Sequence, residues 1–401
     1  MIFIAAGGDR AWAMAAEAKG TGPAIAAAVS VEADGNRTRF KITLSKAVTA
    51  QAYLMERPDR VIVDLPEVSF HLPADVGRKR EGLVGSFRYG LFAPGRSRVV
   101  MDLTQPAVVS AIQVEPNAPG GATYLTIELS RVEREEFRRV AAESAAKSAK
   151  AGPGTVLPAM VTDPRPVVMI DPGHGGIDPG AAASGGVLEK ELVLSFAREL
   201  RKKLQASGRY RVLMTRDQDV FISLEERVRI ARAAKAELFI SIHADSLSGG
   251  QQDVRGLTVY TRAERASDAD SARLADRENK ADAAAGLDSG DMPDDVSDIL
   301  QELTLRETRT FSHGFARRLV GEFDSVARMN KNPHREARFH VLRAHDVPSV
   351  LVELGYLSSK QDLDLLMSDD WRGKMVSAMS TAVDRFFATK LARQGAAAVL
   401  P

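Results

Sequence analysis

Three residues that could bind a metal ion follow predicted strands or open a predicted helix. His174 stands in a turn rich in glycine and proline, directly after the apolar run at residues 167–170, and Glu189 opens an amphipathic helical pattern. His243 ends a second apolar run, residues 238–243. A single histidine at a strand end is more often structural. Two imidazoles and a carboxylate, however, are a set that leaves zinc one open position, so we predict that these three residues bind zinc.

A fourth residue, Glu353, interrupts the apolar strand pattern of residues 349–355. A carboxylate in a buried strand is costly unless it is paired or functional. An ion pair with an arginine is the ordinary explanation, but a metal site at the same sheet edge favours a general base. Zinc-activated water beside a carboxylate is the machinery of amide hydrolysis, so we predict that Glu353 is catalytic.

Five further polar residues near these motifs each have two interpretations. Asp171 and Asp245 are close in sequence to the histidines, so they either fix an imidazole tautomer or act as satisfied turn carboxylates. Arg216 and Arg227 either pair with structural carboxylates or bind carboxylates of a substrate. His340 is interpreted as structural or substrate-lining, because the ligand set is complete without it.

The elements that would position these residues alternate between strands and helices. The predicted strands are residues 167–170, 211–215, 238–243, 257–261 and 350–354, and the predicted helices begin at Glu189 and cover residues 224–235, 307–323 and 371–392. This alternation predicts an α/β domain over residues 166–392, with a mostly parallel sheet flanked by helices. In such sheets ligands bind outside the carboxyl ends of the strands, where the predicted site residues lie.

The part of the chain before this domain has a different pattern. Residues 25–130 alternate apolar and polar positions with period two, without a helical pattern between them, which predicts an all-β sandwich. Residues 131–165 turn charged and then small and proline-rich, which predicts a linker whose first part extends as a frayed helix. Residues 1–24 have the small-residue sites of a signal-peptide remnant, and residues 393–401 form a tail.

Composition narrows the classes of partner. The chain has 401 residues, and its 54 basic and 53 acidic residues give a net charge of +1, which argues against nucleic acid. It has no cysteine, so thiolate metal sites are excluded and histidine and carboxylates remain as the strong ligands. No run reaches the roughly 20 apolar residues of a membrane helix, so we expect no transmembrane segment.

Taken together, the motifs resemble the zinc-dependent N-acetylmuramoyl-L-alanine amidases that separate daughter cells. The resemblance rests on DPGHGG (171–176), Glu189, SIHAD (241–245) and VLVELGYLSS (350–359), in the family's order. It implies that the three predicted ligands hold one catalytic zinc ion and that Glu353 is the catalytic glutamate. It also implies cleavage of the amide between the lactyl group of N-acetylmuramic acid and the L-alanine of the peptidoglycan stem peptide.

Residues 25–130 resemble the AMIN domain, through RTRFKITLS, PDRVIVDL and the echo RVVMDL. This second resemblance implies a targeting module that binds components of the cell wall or envelope at the division site.

An insertion at residues 263–310 contains a helical stretch rich in alanine, aspartate and arginine, an acidic loop, and the segment ILQELTL. Composition alone predicts a solvated helix and loop. The amidase resemblance implies instead an autoinhibitory helix, whose glutamate occupies the open position on zinc until an activator moves it. The segment DRENKAD resembles that helix, which makes Glu278 the candidate zinc-occluding residue and Glu302 the second choice. A LytM-type activator of the division machinery is the implied partner.

The motifs and the two resemblances together predict an exported, periplasmic peptidoglycan hydrolase of a Gram-negative bacterium, recruited to the septum for daughter-cell separation. One alternative is a zinc peptidase that cuts within the stem peptide with the same ligands. Another is a catalytically inactive scaffold that binds the wall. The complete ligand set with Glu353 argues against the scaffold, because binding alone needs no general base.

Overall fold

The computed structural model describes residues 22–73, 76–118, 121–148, 163–183, 185–246, 255–287 and 299–397. These residues form two compact units. Most of the predicted signal-peptide remnant and parts of the predicted linker, insertion and tail lie outside the described residues. Within them, no helix is both long enough and apolar enough to cross a membrane.

The N-terminal unit is a β-sandwich. Its strands are β1 (Ala24–Asp34), β2 (Arg37–Leu44), β3 (Gln51–Met55), β4 (Arg60–Pro66), β5 (Val68–Phe70), β6 (Val84–Ala93), β7 (Arg96–Leu103), β8 (Ala107–Ala118) and β9 (Ala122–Arg131). One sheet has the order β5-β1-β2-β9-β8 and the other β3-β4-β7-β6. Alternate residues from both sheets, such as Phe40, Val63, Met101 and Ile127, are buried in one core. The predicted all-β sandwich is confirmed.

The echo between two of its strand sequences has a structural basis. β4 pairs antiparallel with β7, which sets Arg60 opposite Asp102 and Asp64 opposite Arg98. Arg60 Nε lies 2.6 Å from Asp102 Oδ1, and Arg98 Nε lies 2.6 Å from Asp64 Oδ1. The repeated motif therefore makes two reciprocal ion pairs across one strand pair.

Helix α1 (Arg134–Ser148) corrects the predicted linker. Composition assigns residues 131–165 to a linker with a frayed helical start. The helix is instead part of the N-terminal unit, because Phe137 is fully buried in the sandwich core and Ala141 packs beside it. The average composition of this polar helix gave no sign of the packing that its single aromatic side chain, Phe137, makes with the core.

The C-terminal unit is an α/β domain with the strand order β11-β10-β12-β15-β13-β14. Its strands are β10 (Val167–Pro172), β11 (Arg211–Met214), β12 (Leu238–His243), β13 (Leu257–Arg262), β14 (Met329–Ala337) and β15 (Ser349–Glu353). Its helices are α2 (Glu189–Ala206), α3 (Leu224–Ala233), α4 (Ala269–Glu278), α5 (Ala281–Ala284), α6 (Ile299–Asp324), α7 (Lys360–Leu366) and α8 (Asp369–Ala397). β13 runs antiparallel to β15, whereas the pairs β10–β11, β10–β12, β12–β15 and β13–β14 are parallel. The predicted mostly parallel sheet is confirmed.

Helices cover both faces of this sheet. Side chains of α2, α6 and α8, including Phe196, Phe315 and Met379, pack in one core with alternate strand residues. On the other face, Val228 of α3 and Leu274 of α4 pack with the strand residues between them. Since side chains alternate along a strand, each buried strand serves both cores. Helix α4, which carries Glu278, thus lies on the same face of the sheet as α3.

Candidate metal centre and active site

The three predicted ligands meet at the carboxyl edge of the sheet. His174 follows β10 by two residues, Glu189 is the first residue of α2, and His243 is the last residue of β12. All three side chains are buried, and one ligand atom from each lies within 4.8 Å of the others. Glu189 Oε1 is 3.1 Å from His174 Nε2 and 3.2 Å from His243 Nδ1.

The atoms that face this centre are those that a metal ion would satisfy. Within the part of the chain that the structure describes, His174 Nε2 and His243 Nδ1 are buried without a hydrogen-bond partner, which is rare for polar atoms. Burial lowers the pKa of His174, but the carboxylates of Glu189, Asp178 and Glu278 outweigh it and raise the pKa well above its usual value. Two imidazole nitrogens and a carboxylate within an excess of negative charge fit a divalent cation such as zinc.

Asp178 orients His174, a role that the sequence analysis missed. Its Oδ2 lies 2.9 Å from His174 Nδ1, and its Oδ1 accepts a hydrogen bond of 3.1 Å from the Gly180 N–H. A proton on Nδ1 that is directed at Asp178 leaves Nε2 for a metal. The available signal was a carboxylate four residues after the histidine, within the same glycine-rich turn.

Asp171 is a satisfied structural carboxylate. It accepts hydrogen bonds from Thr215 Oγ1 at 2.6 Å, Ser241 Oγ at 2.7 Å and Arg227 Nη1 at 2.7 Å. Of its two interpretations, the role of imidazole partner is therefore wrong, and Asp178 has that role at His174.

Arg216 and Arg227 bind the loop that carries His174. Arg227 Nη2 donates to the His174 carbonyl at 2.7 Å, and Arg216 Nη2 donates to the Gly173 carbonyl at 2.7 Å. Both also donate to the Pro172 carbonyl, at 2.8 Å and 3.0 Å. Both side chains are buried and direct these donors to backbone carbonyls, so they hold the ligand loop in place.

Gly173 lets His243 lie directly against this loop. A Cβ atom at Gly173 would stand 2.4 Å from His243 Cε1 and 2.5 Å from its Nε2. Any side chain at this position would push the imidazole away from Glu189.

Gly173→Ala is therefore expected to weaken metal binding about 10- to 100-fold, the range seen when the support of a ligand is lost. Competition against a chelator of known affinity measures the change. Gly373→Ala serves as the control, because no atom of the described residues lies within 4 Å of the Cβ added at this position of α8. Equal affinities of the two variants would contradict the proposed packing constraint.

Glu353 lies beside the ligands, in register with His243 across β12 and β15. It is fully buried, and its Oε2 accepts a 3.0 Å hydrogen bond from the Asp245 N–H. Its Oε1 has no hydrogen-bond partner among the described residues. The partner of Oε2 is thus a backbone N–H and not the arginine of the alternative explanation. Burial, together with the negative charges of Asp245 and Glu189, raises the pKa of Glu353 well above its usual value. A buried carboxyl oriented by one oxygen and open at the other suits a general base.

Comparison with known proteins assigns both units. Residues 168–385 match the N-acetylmuramoyl-L-alanine amidase family, and residues 28–128 match the AMIN domain. The N-acetylmuramoyl-L-alanine amidase AmiC of Neisseria meningitidis is 32% identical over 378 residues, which cover 89% of this chain and 89% of the relative. The chain belongs to the N-acetylmuramoyl-L-alanine amidase family.

Two further relatives are also N-acetylmuramoyl-L-alanine amidases. AmiC of Escherichia coli O6:H1 is 29% identical to this amidase over 391 residues, 92% of this chain and 91% of the relative. AmiA of Escherichia coli K12 is 35% identical over 222 residues, 55% of this chain and 76% of the relative. The predicted family, AMIN domain and enzyme class are confirmed.

Helix α4 brings Glu278 of the amidase to the metal centre. Glu278 is 6% exposed, and its Oε2 lies 3.3 Å from His243 Nδ1 and 3.5 Å from His174 Nε2. Glu302 lies in α6, where its half-exposed side chain pairs with Arg306 at 2.6 Å. Of the two glutamates, the structure places Glu278 at the imidazoles.

Asp245 connects α4 to the general-base candidate. Its Oδ2 accepts a 2.7 Å hydrogen bond from Arg277 Nη2, while its backbone N–H holds Glu353. Burial and the charges of Glu189 and Glu278 raise the pKa of Asp245 to about 7. Its carboxylate therefore anchors the helix rather than an imidazole, a role that neither sequence interpretation included.

Proposed function

We propose that this amidase cleaves the bond between the lactyl group of N-acetylmuramic acid and the L-alanine of the stem peptide, with one zinc ion as cofactor. The observation that carries the proposal is the convergence of His174, Glu189 and His243 with the unpartnered Oε1 of Glu353 at one sheet edge. Family membership supports the choice of substrate.

Different residues at this sheet edge would bind the metal, orient the site and transfer the proton. A zinc ion held by the three ligands would supply a Lewis acid. Asp178 keeps His174 Nε2 turned toward the centre, and the Asp245 N–H fixes Oε2 of Glu353. Glu353 Oε1 is then the atom that takes a proton from the attacking water and passes it to the leaving amide nitrogen.

Mass spectrometry of fragments released from purified peptidoglycan tests this reaction. The expected products are stem peptides with a free L-alanine amino terminus and glycan chains left intact. The alternative, a zinc peptidase cutting within the stem, would leave L-alanine on muramic acid. Glu353→Gln is the matched control, and Glu278→Ala is measured in parallel because this change is expected to release the site from α4. The inactive-scaffold alternative predicts that the parent chain and both variants release nothing.

We also propose that α4 keeps the enzyme closed, with Glu278 in the position that the metal would offer to substrate. The Glu278 contacts support this, as does the cavity of about 20 Å³ beside His174, His243 and Glu278. A space of this size holds an ion or a water but no peptide. Arg277 and the buried Leu274 hold the helix in place, and a LytM-type activator would have to displace them.

The proposed setting is the periplasm of a Gram-negative bacterium, with the AMIN-like unit at residues 25–130 recruiting the enzyme to the septum for daughter-cell separation. The AMIN match over residues 28–128 supports this role. A fluorescent fusion of the full chain should concentrate at midcell, and deletion of residues 25–130 should spread it around the envelope. Midcell signal that persists after the deletion would contradict recruitment by this unit.

A further inference from the structure

Arg335 lies beneath the N-terminal end of α4, far along the helix from the metal centre. It is 7% exposed and stands in β14 opposite Tyr260 of β13. Tyr260 packs in the same core as Leu274 of α4. Since paired residues of neighbouring strands face the same side, Arg335 is on the sheet face that α4 covers. Its Nη1 lies 3.5 Å from Oδ2 of Asp268, the residue that caps α4.

The guanidinium of Arg335 is held in one orientation by its own strand. Its Nη2 donates to Asn330 Oδ1 at 2.8 Å, and its Nε donates to the Asn332 carbonyl at 3.1 Å. These two bonds leave Nη1 directed at α4. A buried arginine is stable only with negative partners, and the carboxylate that Nη1 meets belongs to the helix that must leave the site.

Helix α4 therefore carries a carboxylate at each end of its inner side. Asp268 meets Arg335, and Glu278 meets the two imidazoles. Ten residues of α-helix separate them, a span of about 15 Å. An extended peptide covers the same span with roughly four to five residues, at about 3.3–3.6 Å each. A stem peptide running from the metal centre would thus bring its distal residues to Arg335.

We infer that α4 occupies the track of the stem peptide, and that Arg335 determines specificity by binding a carboxylate in the distal half of that peptide. Asp268 takes the place of this carboxylate while the enzyme is closed. The inference rests on the proposed function, because it needs the stem peptide as substrate and α4 as the removable cover. Arginine suits the task, since its planar fork binds a carboxylate with directed hydrogen bonds.

The test uses the full-length, zinc-loaded chain with Glu278→Ala and two substrates. One is N-acetylmuramyl tetrapeptide; the other is the same molecule with its carboxylates beyond the second residue converted to carboxamides. The carboxamide should raise KM about tenfold or more, as expected for a lost charge-assisted hydrogen bond, and change kcat less than about twofold. Adding Arg335→Gln should give both substrates the higher KM.

The matched control is Arg338→Gln, which removes the same charge from a half-exposed arginine paired with Glu264 at 3.5 Å. This variant should keep the full contrast between the substrates. Equal KM values for both substrates in the Glu278→Ala chain, or a contrast that survives Arg335→Gln, would overturn the inference. Equal KM values in the Glu278→Ala chain would overturn the inference without any change at Arg335, so it stays falsifiable even if Arg335→Gln does not fold.

Calorimetric binding of both peptides to the Glu278→Ala, Glu353→Gln chain separates this inference from the proposed function. Tighter binding of the acid form, lost on adding Arg335→Gln, without any cleavage by Glu278→Ala would uphold Arg335 and contradict the amidase reaction. Cleavage of both forms with equal affinities would uphold the reaction and contradict Arg335.

Discussion

Glu353→Gln is expected to abolish amidase activity while metal content stays at the level of the parent chain. Glutamine has the same shape and can still accept the Asp245 N–H through its amide oxygen, but it cannot accept a proton from water. Loss of a general base lowers rates by about 10²- to 10⁴-fold. Release of stem peptides and atomic absorption of zinc, measured on the same preparation, report the two properties.

The control for this variant is Glu191→Gln, which makes the same chemical change at an exposed position of α2. It should leave both activity and metal content unaltered. If Glu353→Gln kept more than about a tenth of the parent activity, the assignment of the base would be wrong. If it lost metal along with activity, Glu353 would have to be counted among the ligands.

Glu278→Ala is expected to raise the activity of the full chain in the absence of any activator by about 10- to 100-fold. The residue contacts both imidazoles, so its removal abolishes a charge-assisted interaction that favours the closed arrangement. A charge-assisted contact of about 1.5–3 kcal/mol shifts an equilibrium by this factor. Initial rates of dye release from labelled peptidoglycan measure it.

Glu302→Ala is the matched control, because this glutamate is half-exposed in α6 and pairs with Arg306. It should leave the basal rate unchanged. Deletion of residues 264–306 should activate at least as strongly as Glu278→Ala. If the deletion activates and Glu278→Ala does not, the site is blocked by the volume of α4 and not by the Glu278 carboxylate. If neither change activates the enzyme, the autoinhibition proposal is wrong.

The meeting of His243 and Glu353 at one sheet edge could be predicted from the sequence because strand ends are marked by abrupt changes of polarity. His243 and Glu353 each end an apolar run, and both lie in register at the carboxyl ends of β12 and β15. Parallel strands place their carboxyl ends at one edge of the sheet, so the two residues could be predicted to meet although they are far apart in sequence.

β14 was not predicted, since its sequence MNKNPHREA lacks apolar alternation and contains a proline. It forms the edge of the sheet, where proline and polar side chains are tolerated. Its formation depends on pairing with β13, a contact that no local pattern encodes. For that reason Arg335 was not singled out.

The contacts of Asp178 and Asp245 depend on tertiary geometry in the same way. Asp178 reaches His174 because the turn closes through reciprocal backbone hydrogen bonds of 2.9 and 3.0 Å between Gly175 and Asp178. Asp245 meets Arg277 only because α4 docks across the sheet. A sequence pattern can name such residues, but the choice of partner is made when the elements pack.

The two arginines that bind the ligand loop stabilise its conformation independently of a metal ion. Arg216 and Arg227 fasten the carbonyls of Pro172, Gly173 and His174 from beneath, with donors that no metal ion replaces. We therefore expect the loop to keep its shape with or without a metal ion, unlike zinc domains that unfold without metal. An enzyme built this way is expected to lose a bound metal ion and to regain activity on reloading, without refolding.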